Sequence, residues 1–237
     1  MAQQQTLTFK ALGWLLTYPD AAVVGAVPDI LAAMRQEALL PRAQLDELAR
    51  FAGTLAARDL IEAQESYVGV FDKSRQVSLH LFEHVHGESR DRGMAMVNLR
   101  EVYGAAGLFA DETELPDFLP MYLEYLALLP LAEAKAGLKD VAPILQGIHK
   151  GLLTRESPYA IPLGNLLHLA GVKPLLDVAE VERDDTPEAI DRAWEEQAVA
   201  FGPDNDPQKS SDCGRASAML ARMNAQGAQS PMTEAQK

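Results

Sequence analysis

Apolar residues recur along most of this chain at the spacing of one face of an α-helix. The clearest row occupies positions i, i+4, i+7 and i+11 and comprises Leu60, Gln64, Tyr67 and Phe71, with Ile61 and Val68 widening the same face. No series of alternating β-branched runs separated by turns is present, so a fold built on a sheet is not expected. The periodicity predicts an all-α protein, a single helical domain of roughly ten helices.

Prolines and one capping sequence mark the expected ends of several helices. A helix is predicted over residues 115–129, and Pro143 interrupts the helical stretch that follows it. The last helix is expected to begin at Thr186-Pro187, because threonine caps a helix N-terminus and proline fits its first position.

The composition of the chain changes at Gly202. With 48% hydrophobic residues over 237 positions, the chain can bury a core of ordinary size. Beyond Gly202, Pro, Asp, Ser, Gln, Ala and Gly dominate without sustained periodicity. We therefore expect a helical domain over residues 1–202 and a flexible tail over residues 203–237.

The charge and cysteine content limit the classes of partner and the location. The chain carries 34 acidic and 21 basic side chains, a net charge of −13, which disfavours nucleic acid and favours a basic partner. No apolar run approaches the ~20 residues that a membrane span needs. Cys213 has no second cysteine to pair with, and no charged-then-apolar leader opens the chain. A cytoplasmic location without stable membrane association is expected.

The stretch from Leu79 to Gly93 is unusually dense in polar side chains. It holds three of the five histidines, two glutamates, two arginines and an aspartate. Either a metal or catalytic site or a recognition surface would explain this mixture. Within it, His80, Glu83 and His84 match the H-x-x-E-H pattern of inverted zinc peptidases, in which a helix presents both histidines to one ion and the glutamate serves as base.

The residues before this pattern do not favour the helix that zinc binding requires. Val77, Leu79 and Leu81 alternate with Ser78 and His80, which predicts extended chain and would place the two histidines too far apart to share an ion. A recognition surface is therefore favoured, and a zinc-dependent hydrolase is the alternative.

Aromatic and acidic side chains are concentrated in a second segment, between Glu114 and Leu126. One helical row comprises Phe118, Tyr122, Tyr125 and Leu129, and the neighbouring row comprises Asp117, Met121, Glu124 and Leu128. An aromatic stripe beside two carboxylates suits an apolar, basic ligand helix. Core aromatics beside a solvated acidic face would give the same pattern.

Four motifs together resemble a known family. They are L-F-E-H-V-H-G-E-S-R-D-R-G at 81–93, L-P-D-F-L-P-M-Y-L-E-Y-L at 115–126, G-L-K-D-V-A-P-I-L at 137–145 and R-D-D-T-P-E-A-I-D-R-A-W-E-E at 183–196. In this order they are similar to the NarJ-type chaperones of respiratory nitrate reductase, within the group of molybdoenzyme maturation chaperones. The likeness begins at the L-L-T-Y-P-D of residues 15–20 and extends through Glu196.

The resemblance implies a helical cytoplasmic chaperone that is not an enzyme and requires no cofactor or metal of its own. Such chaperones bind the apo catalytic α subunit of nitrate reductase, including its N-terminal segment. They permit insertion of the molybdenum cofactor and iron–sulfur clusters before membrane anchoring, and they are absent from the finished enzyme. The resemblance also admits molybdenum cofactor biosynthesis proteins as partners, and a monomer or weak dimer is expected.

The family motifs also imply which residues contact the partner peptide. These are Tyr67, Phe71, Phe82, Glu83, His84, His86, Glu88, Arg90, Asp117, Tyr122, Glu124 and Tyr125. Within this set the expected apolar contacts are Phe71, Phe82, Tyr122 and Tyr125, and the expected partners of basic groups are Glu83, Asp117 and Glu124. Arg90 and Arg92 are expected to hold Glu88 and Asp91 in place.

The sequence departs from the family pattern at one position. The usual L-P-D-H is here L-P-D-F, with Phe118 in place of the histidine. Any hydrogen bond or pH response of that histidine is therefore not expected at this position, whereas the acidic role of Asp117 is retained. His84 and His86 are the expected titratable groups of the segment.

Overall fold

The computed structural model describes residues 6–85, 90–109, 114–175 and 183–194. In these ranges the chain forms ten α-helices and two short 3₁₀ turns, and its extended pairing is limited to an isolated bridge between His80 and Phe118. The predicted all-α class is therefore confirmed. The tail over residues 203–237 lies outside the described residues.

The helices follow one another with short connections. They are α1 Leu7–Trp14, α2 Ala21–Glu37, α3 Arg42–Ala57, α4 Leu60–Phe71, α5 Arg90–Ala105, α6 Leu119–Leu128, α7 Leu131–Asp140, α8 Ala142–Thr154, α9 Ala160–Leu169 and α10 Pro187–Trp194. The 3₁₀ turns Arg75–Val77 and Leu81–His84 lie between α4 and α5. None of the described helices combines the length and apolar character that a bilayer crossing requires.

Helix α1 is central to the core and packs closely against α6. Phe9 and Leu12 are fully buried. A Cβ on Gly13 would lie 3.1 Å from the carbonyl oxygen of Pro120, so the glycine permits close approach of the two backbones. A side chain from α2 caps the N-terminus of α1: the carboxylate of Glu37 accepts a hydrogen bond from the backbone N–H of Thr8 at 2.7 Å.

Helix α4 begins and ends where the apolar row predicted. Tyr67 and Phe71 are buried on the core face. The prediction that Ile61 and Val68 widen this buried face was wrong, because Ile61 is 64% exposed and Val68 is 36% exposed. The apolar stripe that contacts the core is thus narrower than the count of apolar residues indicated.

Helix α6 begins at Leu119, later than the predicted start at residue 115. Residues 117–119 pair instead with the segment before α5: the N–H of Leu81 donates to the carbonyl oxygen of Asp117 at 3.0 Å, and the N–H of Leu119 donates to that of Leu79 at 2.8 Å. Helical periodicity alone did not reveal this contact between segments distant in sequence.

The predicted break at Pro143 and the predicted start at Thr186-Pro187 agree with the structure. Pro143 lies in the first turn of α8, where its missing N–H costs nothing, and the chain breaks just before it at Val141. Thr186 caps α10, because its hydroxyl accepts from the N–H of Ala189 at 3.1 Å.

Two glycine-to-alanine variants should change the free energy of unfolding in opposite directions. Gly13→Ala places a methyl group against the backbone of Pro120 and should destabilise the protein by about 1–3 kcal/mol. Gly53→Ala, at an exposed site in α3 with nothing within 4 Å of the added Cβ, should stabilise it by about 0.5–1 kcal/mol. Urea unfolding of both variants measures this. Equal effects would contradict the close packing of α1 on α6.

Candidate functional site

The dense polar segment is extended at its start and tightly turned after it. His80 pairs with Phe118 in the antiparallel bridge, so the extended chain that the alternation predicted is present at His80, whereas Val77 and Leu81 belong to 3₁₀ turns and the pairing partner was not predicted. The chain then enters the 3₁₀ turn Leu81–His84, so the H-x-x-E-H residues do not lie on an α-helix. The bridge brings this segment to the residues immediately before α6.

A buried carboxylate, that of Asp117, organises this junction. Its side chain has no exposed surface and accepts a hydrogen bond from the N–H of Phe82 at 3.0 Å. The Nδ1 of His80 lies 3.3 Å from the other carboxylate oxygen, and a guanidinium nitrogen of Arg92 lies 3.7 Å from the oxygen that accepts from Phe82. One carboxylate thus joins the turn, the bridge and α5.

The pKa values of His80 and His84, the two described histidines of the segment, are shifted in opposite directions. The hydrogen bond to Asp117 raises the pKa of His80 above its ordinary value, although partial burial opposes the shift. Burial lowers the pKa of His84, whose Nε2 lies 2.8 Å from the carbonyl oxygen of Ser78. We expected His84 and His86 to be the titratable groups. The structure favours His80 over His84, and His86 lies outside the described residues.

This geometry bears on the zinc alternative. The ring nitrogens of His80 and His84 face different protein partners, a carboxylate and a backbone carbonyl. No group of three or more His, Cys, Asp or Glu side chains within the described ranges is arranged to hold a metal ion. Nothing in the described part of the site favours the hydrolase.

A polar cavity of about 470 Å³ opens beside the junction. Its walls are formed by Phe71, Asp72, Lys73, Ser74, Arg75, Ser78, His80, Glu83 and Arg92. Arg75 fixes the turn by donating to the carbonyl oxygen of Glu83 at 2.7 Å, and a nitrogen of Arg92 lies 3.4 Å from the Glu83 carboxylate. The side chain of Glu83 is 30% exposed and lines the cavity, so a ligand there can reach it.

The structure brings only part of the predicted site to this cavity. Phe71 and Glu83 line it, and Asp117 lies just behind it. Glu124 is elsewhere and forms an ion pair with Lys10 at 2.6 Å.

The predicted aromatic contacts are buried in the core. Phe82 and Tyr122 have no exposed surface and Tyr125 has 3%. The Tyr122 hydroxyl donates to the carbonyl oxygen of Gly137, and the Tyr67 hydroxyl donates to that of Leu16. Their roles in peptide contact remain predictions, and a peptide could reach Phe82 or Tyr122 only after local rearrangement.

Some of the residues predicted to contact the peptide lie outside the described ranges. His86 and Glu88 are not described, and neither is the side chain of Arg90. Arg92, expected to hold Glu88 and Asp91, lies beside Glu83 and Asp117.

The sequence pointed to His80 only as a zinc ligand of the alternative hydrolase, and it did not point to Arg75 at all. The signal for His80 was the alternation of residues 77–81, which places it on the opposite side of the strand from Leu79 and Leu81. Arg75 carried no signal, because its contact with the Glu83 carbonyl depends on how the chain turns between them.

A second polar cluster holds the R-D-D-T-P-E sequence of residues 183–188 against Ser74 and Gln76, which precede the polar segment. The side chain of Arg155 is only 4% exposed and lies 2.6 Å from Asp184 and 3.0 Å from Asp185. Arg155 also donates to the hydroxyl of Ser74, and Asp184 accepts from the N–H of Gln76 at 3.0 Å. The start of α10 is thereby fixed to the 3₁₀ turn that precedes the polar segment.

Comparison with known proteins gives consistent matches. A family model described as nitrate reductase delta subunit matches residues 37–160. The chain is 47% identical over 195 residues to the nitrate reductase molybdenum cofactor assembly chaperone NarJ of Escherichia coli strain K12, covering 80% of this chain and 83% of that protein. It is 44% identical over 201 residues to the probable nitrate reductase molybdenum cofactor assembly chaperone NarW of the same strain, covering 83% of this chain and 84% of that protein. The probable chaperone NarJ of Bacillus subtilis strain 168 is 29% identical over 163 residues, covering 69% and 85%.

Removing the Asp117 carboxylate should destabilise the junction. Asp117→Ala leaves the N–H of Phe82 buried without its acceptor, at a cost of about 1–3 kcal/mol in the free energy of unfolding. Asp117→Asn keeps an acceptor and should cost less. Chemical denaturation of both variants tests this, with Glu124→Gln as the control at a 37% exposed carboxylate. The prediction fails if Ala and Asn are equivalent to the parent.

The ion pair between His80 and Asp117 should make stability depend on pH. Because the folded-state pKa of His80 is raised, its contribution is fully present below the unfolded pKa and is lost as the pH rises through the folded pKa. The difference in unfolding free energy between the parent and His80→Gln should therefore shrink as the pH rises above about 6.5, the ordinary histidine pKa. His168→Gln, at an exposed histidine on α9, is the control. A difference that grows with pH would contradict the pairing.

Proposed function

The chain belongs to the nitrate reductase delta subunit family, and from this membership we propose that it is a dedicated chaperone for assembly of a molybdenum-containing nitrate reductase. The observation that carries the proposal is the 47% identity to an assembly chaperone of that description over 80% of the chain. The protein acts by binding its client and not by catalysis, and it needs no cofactor of its own.

The proposed client is the apo catalytic α subunit, including its N-terminal segment. The chaperone holds this subunit in the cytoplasm while molybdenum cofactor and iron–sulfur clusters are inserted, and it leaves before the enzyme is anchored at the membrane. It works as a monomer or weak dimer. A net charge of −13 supports this role, because it would attract a basic client segment and speed encounter.

The polar cavity beside Asp117 is the proposed contact point for the client segment. It offers the accessible carboxylates of Asp72 and Glu83 to basic groups, and Phe71 is among its lining residues. The walls are preorganised, because Arg75 and Asp117 both fix the turn that carries Glu83. A preorganised turn lowers the entropy lost when a peptide binds.

Reversing the charge of Glu83 should weaken client binding. Glu83→Lys removes an accessible carboxylate from the cavity and should reduce the affinity for a synthetic α-subunit N-terminal peptide by about tenfold or more, measured by isothermal titration calorimetry. Glu62→Lys, an equal charge change on the exposed face of α4, is the matched control and should have a smaller effect.

Co-purification tests the wider role. The chain should recover the apo α subunit from cells that produce both proteins, and deletion of the client's N-terminal segment should reduce the yield. Absence of saturable peptide heat together with an unchanged yield after the deletion would refute the proposed client contact. If Glu62→Lys and Glu83→Lys weaken binding equally, net charge and not the cavity determines the affinity.

A further inference from the structure

A second cavity, of about 250 Å³, opens between α3, α4 and the start of α9. It shares no lining residue with the polar cavity beside Asp117. Its aromatic and aliphatic walls are formed by Phe51, Leu55, Pro158, Tyr159 and Ile161. Pockets for drug-sized ligands are somewhat larger, so this volume suits an apolar group of about the size of an amino-acid side chain.

The aromatic wall of this cavity is held in place by ring contacts. Tyr159 packs edge-to-face against Phe51, with ring centroids 5.3 Å apart, and against Phe71, with centroids 5.0 Å apart. Phe51 is 5% exposed and Tyr159 is 2% exposed. Perpendicular ring contacts of this kind favour one arrangement of the rings, so the wall is formed before any ligand arrives.

The charged side chains that line the cavity are both positive. They are Arg50 and Arg58, which are exposed, and no aspartate or glutamate is among the described lining residues. Within the described ranges neither arginine forms an ion pair, whereas Arg92, Arg155 and Arg183 each pair with a carboxylate. The cavity is therefore a local positive site in a chain whose net charge is −13.

The position of the Arg58 charge is visible in its effect on Tyr159. Burial raises the pKa of Tyr159 to about 12, and the positive charge of Arg58 opposes this rise. The guanidinium is thus close enough to act on a residue of the cavity wall. Ser66, a partly exposed lining residue, adds a hydroxyl that can donate a further hydrogen bond.

The two kinds of lining surface select different parts of a ligand. Guanidinium groups match the planar geometry of a carboxylate and bind it through paired N–H donors. The apolar walls favour an aromatic or aliphatic group, and a bare inorganic anion would leave them uncovered.

We propose that this cavity binds a carboxylate that is carried on an aromatic or branched aliphatic group. The apolar group packs against Phe51, Tyr159 and Ile161, and the guanidiniums of Arg50 and Arg58 donate to the carboxylate at the mouth. The ligand is either a free organic acid or a segment of a partner protein that presents both groups. This charge preference is opposite to that of the polar cavity beside Asp117, and the site needs no contribution from the proposed client.

Titration of the full chain with 3-phenylpropionate, followed by the δ1-methyl resonance of Ile161, tests the site. The matched probe is 3-phenylpropanamide, which has a similar shape and no charge. We expect a saturable shift at Ile161, no shift at Ile148, which is buried in the core outside the cavity, and an affinity for the acid about tenfold or more above that for the amide.

A peptide arm distinguishes the two sources of the ligand. Acetyl-Glu-Phe-Glu-amide presents carboxylates beside an aromatic ring within a chain. Binding at least as tight as that of the acid indicates a protein segment, and weaker or absent peptide binding indicates a free acid.

Variants on α3 and at its end separate contact from general electrostatics. Arg50→Gln and Arg58→Gln should each weaken binding of 3-phenylpropionate by about tenfold. Arg42→Gln removes the same charge at an exposed position about 12 Å before Arg50 along α3. This distance exceeds the screening length of about 8 Å, so the control should leave the affinity nearly unchanged. All three positions are exposed, and the fold should tolerate the changes.

Three outcomes would overturn the proposal. The first is equal affinity for the acid and the amide, and the second is binding that does not move the Ile161 resonance. The third is an equal loss of affinity in Arg42→Gln and Arg58→Gln, which would assign the binding to overall charge and not to the cavity.

Discussion

The buried carboxylate of Asp117 is the interaction on which the arrangement of the candidate site depends. An isolated carboxylate without exposed surface is costly, and this one is stabilised by the N–H of Phe82, the imidazole of His80 and the more distant guanidinium of Arg92. The imidazole and the N–H belong to one short segment, residues 80–82, and the guanidinium belongs to α5, so the carboxylate connects two pieces of chain to the residues before α6. The carboxylate acts together with the backbone pairing of Leu79 and Leu81 and with the donation of Arg75 to the carbonyl oxygen of Glu83. The accessible position of Glu83 follows from this connection.

The fold was largely predictable because helix positions and ends are determined mostly by residues close to them in the sequence. The bounds of α4, the first turn of α8 and the Thr186 cap all follow from residues within one or two turns of the point in question. Local patterns could not show that residues 117–119 pair with 79–81, which delays α6 by four positions. They also could not separate aromatic residues that contact a partner from those that fill the core. Phe82 and Tyr122 stand in motifs resembling a recognition surface, yet both are fully buried.

Arg155 shows how a motif distant in sequence supports the same site. Its guanidinium joins Asp184 and Asp185, just before α10, to Ser74, which lines the polar cavity. The R-D-D-T-P-E sequence therefore has two separate physical roles: Thr186 caps a helix, and the aspartates anchor that helix to the turn at Arg75–Val77. A buried arginine is retained only where its charge is neutralised, and two carboxylates meet that need. The motif is better understood as a structural anchor than as a contact for the client.

The net charge of the chain and the charges that line the polar cavity differ, and they influence a ligand at different distances. The chain as a whole is strongly acidic, but the polar cavity places Lys73, Arg75 and Arg92 beside Asp72 and Glu83. At physiological ionic strength charges are screened beyond about 8 Å, so the excess of negative charge influences the approach of a basic segment more than its final position. Within the cavity, mixed signs favour a segment that carries both an acceptor and a cation, because each then meets its complement. A purely basic peptide would be attracted to the surface but would meet like charge at Lys73, whereas Arg92 is already beside the carboxylates of Glu83 and Asp117.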